Sequence, residues 1–155
     1  MSVESVRAFF QHHAPDIEVL ESEKSSATVP LAAEAFGVRP DEIAKTLSLR
    51  VGERCVLVVT KGTARLDNKK ARAAFGAKPR MLGAEEVAAI TGHPVGGVCP
   101  FGLKTPLPVY CDVSLQAFGV VVPAAGSTNS AVRISPQRMA DLVAAEWIDV
   151  CQTQD

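Results

Sequence analysis

The sequence predicts one α+β domain over residues 1–155, a mixed, mostly antiparallel β-sheet or barrel surrounded by helices. Three observations carry this. Segments of helical and strand periodicity are interleaved along the chain. Two strand-like runs, Thr46–Arg50 and Arg54–Thr60, flank Gly52 as a hairpin, which rules out a purely parallel sheet. The length of 155 residues and a hydrophobic fraction of 47% suffice for one core without disulfides or metal.

The elements follow in order. Ser2 caps a first helix in which Val3, Val6, Phe9 and Phe10 recur at helical spacing until Pro15, presenting a Phe stripe to the core. "IEVLE" alternates like a short strand. In "TVPLAAEAFGV", Thr28 caps a second helix, Pro30 sits in its first turn and Gly37 ends it. A helical turn at Pro40 leads into the hairpin, placing Lys45 where helix hands over to strand. Helices from Asp67 to Gly76 and through "GAEEVAAITG" to Gly92 come next. Further strands in "PVYCDVSLQAFGVVVPAAGSTNSAVRIS" are broken by the polar tip Gly126–Ser130. Ser135 and Pro136 start a last helix, and "WIDVC" closes as a strand. There is no internal repeat, linker or low-complexity tract.

Composition excludes several classes of function. The formal net charge of −1 supplies no global basic field, so contact with nucleic acid must rest on a local patch, and DNA is not expected as a partner. The longest apolar runs, such as Phe118–Ala125, fall far short of the roughly 18 residues of a spanning helix. "MSVESVRAFFQHHAPD" lacks a basic segment followed by an apolar one, so a cytoplasmic protein is expected. Cys55, Cys99, Cys111 and Cys151 form no C-x-x-C pair and read as reduced, mostly buried thiols. His12, His13 and His93 are not in step with them, so no metal site is expected.

Three loop or junction features remain, and none contains G-x-S-x-G, H-E-x-x-H or a P-loop. They are Lys45–Thr46, the stretch "GHPVGGVCPFG" from Gly92 to Gly102, and "AAGSTNSA". Four glycines and two prolines in eleven residues read as a turn. They equally describe a rigid loop whose bare backbone N–H groups meet a ligand. The "AAGSTNSA" segment reads first as a polar turn between strands.

In order and spacing these residues resemble the YbaK/ProX family of trans-editing aminoacyl-tRNA deacylases, which is related to the editing domain inserted in bacterial prolyl-tRNA synthetases. The resemblance spans nearly the whole chain. It is carried by Lys45 in "IAKTLSLR", by "LDNKKARAAFGAKPRMLGAEEVAAITGHPVGGVCPFG" with its G-x-x-x-G-G-x-x-P-x-G ending at Gly102, and by "AGSTNSAVRISP". It implies hydrolysis of the ester joining a wrong amino acid to the 3′-terminal adenosine of a tRNA, with tRNA(Pro) the expected acceptor. No cofactor is implied. Mischarged aminoacyl-tRNA is the implied partner, with prolyl-tRNA synthetase as a second.

The resemblance also assigns roles. Lys45 and the backbone of Gly96 and Gly97 are implied as catalytic, with the lysine positioning substrate and the loop stabilising the oxyanion. Val98, Cys99 and Pro100 of the same loop, Gly126, Ser127 and Asn129 of the turn at the pocket mouth, and Thr28 and Thr46 are implied as substrate-binding. Thr28 is equally explained as a helix cap. Thr46 following Lys45 argues against the alanine-clearing branch and toward cysteine, serine or threonine. Arg65, Lys69 and Lys70, with Arg72 close by, form a candidate surface for acceptor-stem phosphates, or else a solvated helix face.

The residues offer no general base. His12 and His13 lie on the first helix facing solvent, and His93 is not promoted on location alone; the family resemblance implies instead a water held by loop carbonyls and the substrate's ribose hydroxyl. Cys99 invites a thiol mechanism, but a small residue filling space under the loop is the simpler account. An alternative of a different class is a non-catalytic module that binds a tRNA end or a synthetase.

Overall fold

The computed structural model describes residues 2–153. Its centre is the hairpin of β2 (Ile43–Val51) and β3 (Arg54–Lys61), paired antiparallel from Ala44↔Lys61 to Val51↔Arg54. Around it run α1 (Ser2–His13), β1 (Leu20–Glu21), α2 (Val29–Phe36), α3 (Asn68–Phe75), β4 (Arg80–Met81), α4 (Ala84–Thr91), β5 (Val109–Asp112), β6 (Val122–Pro123), β7 (Ser130–Ala131), α5 (Pro136–Leu142) and β8 (Glu146–Ile148). The strand order is β4-β2-β3-β5-β8, with β6 also on β2, and β1 pairs with β7 in a separate ribbon. Pairing is mixed: β2 with β3, β2 with β4 and β1 with β7 are antiparallel, while β2 with β6, β3 with β5 and β5 with β8 are parallel. The sheet does not close into a barrel.

Local sequence chemistry sets the element ends. The hydroxyl of Thr28 accepts from Leu31 N–H, and Pro30 sits in the first turn of α2. Asp67 caps α3 through Lys70 N–H, and Ser135 caps α5 through Arg138 N–H. Gly37, Gly76 and Gly92 end α2, α3 and α4 in the left-handed conformation.

The apolar run in β3 is continuous because both faces are covered. Leu57 and Val59 lie in one core with Phe10 of α1, Phe101, Leu115 and Met139. Val56 and Val58 lie in a second with Leu49, Ala71 of α3 and Val150. The rings of Phe10 and Phe101 stand 4.7 Å apart, so the expected Phe stripe of α1 is buried against the residue following Pro100. Burial of each such side chain stabilises by about 1.5–3 kcal/mol.

Two elements differ from expectation. "IEVLE" contributes only Leu20–Glu21 as strand, because its partner β7 is itself two residues long. Lys45 is the third residue of β2 rather than a junction residue. The turn Pro40–Glu42 ends early, and β6 pairs with Ile43–Ala44, drawing the strand back to Ile43.

Candidate active site

The site begins with a missing length of strand. On one side β2 is paired with β3 throughout; on the other, β6 takes Ile43–Ala44 and β4 takes Leu49–Arg50, leaving Lys45–Leu47 with no partner strand. A cavity of about 240 Å³ opens at this gap. Being at an edge, it draws on both faces of β2: Ile43 and Lys45 from one, Ala44, Thr46 and Ser48 from the other. Thr28, Ala32 and Phe36 of the α2 region, Val122, Ala124 and Ser130 of the C-terminal strands, and Gly96 and Val98 of the glycine loop complete it.

Its wall is largely apolar with a few polar groups. Lys45 is the only charged side chain among the described lining residues. Its ammonium donates to the Ala64 carbonyl at 2.5 Å. Burial lowers its pKa below the ordinary 10.5; Cys151 opposes that shift and Arg65 adds to it. Ser26 Oγ and Thr46 Oγ1 are buried in the wall with no hydrogen-bond partner among the described residues. Buried hydroxyls of this kind are costly unless a ligand completes them.

The loop is held by contacts between backbones. A β-carbon on Gly97 would stand 2.7 Å from the Ser127 backbone, and one on Gly96 about 3.0 Å from Ala27, with Gly96 at φ +90°. Gly126 N–H donates to Gly97 O at 3.0 Å, joining the loop to the Gly126–Ser130 turn. Gly97 N–H itself donates to Pro94 O at 2.9 Å. That corrects one expectation: the amide of Gly97 is occupied by a turn and is not a free donor. The N–H groups of Gly96 and Val98 have no acceptor among the described residues.

Residues 23–142 match the aminoacyl-tRNA editing domain family. The chain belongs to that family.

Relatives extend the likeness over the full length. A protein of Bacillus subtilis named YwhH, uncharacterised, is 49% identical over 98% of both chains. EbsC of Enterococcus faecalis, provisionally named as a Cys-tRNA(Pro)/Cys-tRNA(Cys) deacylase, is 28% identical over 94% of this chain and 91% of its own. A crystal structure titled, provisionally, as a trans-editing enzyme for prolyl-tRNA synthetase superposes with a TM-score of 0.90 at 31% identity, covering 98% of both chains.

This editing domain gathers Lys45, Gly96, Val98, Thr28 and Thr46 around the cavity. Cys99 and Pro100 lie buried beneath the loop, outside the lining. Cys99 is wholly buried, and desolvation pushes its thiol up to about 12, against a hydrogen bond to Phe101 O. A thiolate nucleophile is thereby disfavoured. Gly126 is buried against the Ser2 backbone and outside the lining. Ser127 Oγ donates to Asn129 Oδ1 at 2.9 Å and lies 2.6 Å from Ser130 Oγ, and Asn129 Nδ2 donates to Ser22 O. These turn residues brace the wall, with Ser130 the one that reaches the cavity.

His93 is fully buried at the base of the loop, with Nε2 2.8 Å from Phe101 O and 3.6 Å from Cys99 Sγ. It does not line the cavity, and burial lowers its pKa despite the Phe101 carbonyl. His12 and His13 are exposed on α1, as expected. Arg65 and Lys69 are exposed as well. Lys70 is not: it pairs with Asp149 and donates to Cys151 O, each at 3.0 Å, and so ties down the C-terminal segment instead of facing a partner. No helix is long and apolar enough to cross a membrane among the described residues.

Ser48, Ser130, Phe36 and Ala124 belong to the wall without having been singled out from sequence. For Ser48 a signal exists: it is the small polar residue two places after Thr46 on a strand, hence on the same face. The others come from elements distant in sequence and show no local sign.

Proposed function

We propose that the whole chain acts as a free-standing trans-editing hydrolase that removes a mischarged small amino acid from tRNA in the cytoplasm, with tRNA(Pro) the favoured acceptor. The observation that carries this reading is the convergence of Lys45, Thr46, Gly96 and Val98 on one cavity at the β2 gap. Membership of the editing family supports the reaction class.

In this reading the acyl group enters the cavity and the terminal ribose lies against the loop. An ammonium has three donors, and Ala64 takes one, so Lys45 keeps two for ribose or phosphate oxygens. Water adds to the ester carbonyl, and the oxygen that gains charge is stabilised by the N–H groups of Gly96 and Val98. One such donor is worth about 3 kcal/mol. The ester C–O bond then breaks and the ribose oxygen takes a proton. The water is held by loop carbonyls and the neighbouring ribose hydroxyl; His93 is walled off from this step. Gly97 acts by letting the loop approach Ser127. Ser26 and Thr46 favour an acyl side chain that hydrogen-bonds, such as a hydroxyl or thiol. Prolyl-tRNA synthetase is the partner expected to supply the substrate.

The test is a release assay on a panel of mischarged tRNAs with wild type and Lys45→Ala. Release by wild type and its loss in the variant supports the reading. Binding of tRNA with no release from any member would make the protein a non-catalytic binding module.

A further inference from the structure

We propose that Lys69, Arg72 and Lys78 form a seat for the phosphate backbone of the RNA whose aminoacylated end enters the cavity; this rests on the editing reading above. Lys69 and Arg72 are three residues apart on α3 and so share a face. Gly76, at φ +77°, turns the chain back and brings Lys78 alongside, and the three line one open concavity with Asn68 and Ala73.

Their charge is uncompensated. All three are exposed, and none forms an ion pair among the described residues. Nearby charges are occupied elsewhere. Asp67 receives the Lys70 amide, and Asp149 receives the Lys70 ammonium. On a chain of net charge −1, this is a local positive field without a structural partner.

Its position ties it to the cavity. The segment that bears it begins at Ala64, whose carbonyl holds Lys45, and ends at Met81 and Leu82, which belong to the cavity wall. The concavity thus lies on the chain segment that joins the anchor of Lys45 to Met81 and Leu82 of the cavity wall. A polyanion attached to the acyl group is the ligand this placement suits, and Lys70, committed to the C-terminal segment, is not part of the seat.

The experiment measures binding of uncharged tRNA over a salt series to wild type and to the triple variant Lys69→Gln/Arg72→Gln/Lys78→Gln. Each phosphate contact contributes about 0.7–0.9 to the slope of log K against log salt, so the triple variant should lose about 2–3 from it. On mischarged tRNA, KM should rise about tenfold with kcat unchanged. An aminoacylated adenosine, which has no phosphate to offer the seat, should be cleaved equally by both proteins. Because binding of uncharged tRNA is read apart from turnover, failure here is distinct from absence of deacylation by wild type, which would sink the editing reading. A wild-type slope in the triple variant, an equal loss in Arg138→Gln on α5, or slower cleavage of the aminoacylated adenosine would overturn the proposal. Should the triple variant fold poorly, the single variants decide it, each expected to lose one contact's slope.

Discussion

The ammonium of Lys45 is held 2.5 Å from the carbonyl of Ala64, so the cation in the cavity wall is anchored by main chain and not by a carboxylate. A carboxylate partner would neutralise it, whereas a carbonyl orients it and leaves its charge available. Charging the buried lysine costs the fold something, as its lowered pKa records.

Lys45→Met should therefore separate activity from stability. Deacylation is expected to fall about 100-fold, on the scale of one lost electrostatic contact in a transition state. The unfolded chain holds the lysine proton more tightly than the folded one. Wild-type stability should thus rise as pH climbs through the window between the depressed folded value and 10.5. The rise should vanish in the variant. Urea unfolding of both proteins from pH 7 to 10.5 measures it, and parallel curves would refute the account.

Gly97→Ala should destabilise by about 1–3 kcal/mol, because the added carbon meets the Ser127 backbone at 2.7 Å and neither chain can yield cheaply. Gly126→Gly97, the hydrogen bond joining loop to turn, should weaken with it. Chemical denaturation reports the first effect; faster amide exchange at Gly126 reports the second.

Cys99→Ser should keep kcat/KM within about threefold, since the thiol is held protonated and its hydroxyl replacement can still donate to Phe101 O. Native protein should also resist alkylation at this position. Loss of turnover with intact folding would restore the covalent mechanism.

His93→Gln should flatten the acid side of the stability profile. The buried ring is disfavoured as a cation, and its ordinary pKa is 6.5. As pH falls below 6.5, the unfolded chain takes up a proton that the folded one resists, so wild type loses stability down to the depressed folded value. Melting temperatures between pH 7 and 5 for both proteins decide the point; the glutamine amide can keep the bond to Phe101 O but does not titrate.

Thr46→Val should leave stability unchanged or raise it by about 1 kcal/mol, because it removes a buried hydroxyl lacking a partner. Turnover of substrates with hydroxyl or thiol side chains should fall relative to an alanyl ester. Competition between the two acyl groups measures that ratio.

Much of this was legible in the sequence because it is local. Thr28, Asp67 and Ser135 act as caps, three glycines end helices, and the hairpin turns at Gly52, each through neighbours a few residues away. Lys45 and the glycine loop were recognisable as a pair only through family likeness. What escaped is non-local: Gly97 owes its identity to Ser127 and Lys70 its role to Asp149, partners 30 and 79 residues away that no periodicity encodes. The gap in β2 depends on two-residue strands that are too short to show a pattern.

That gap also leaves main-chain pairing along β2 unmade. Extending β4 or β6 by a few residues would zip the open edge of β2, adding main-chain hydrogen bonds worth about 1 kcal/mol each. The same zipper would close the cavity beside Lys45, so unfinished weaving of the sheet is the condition for having a pocket there at all.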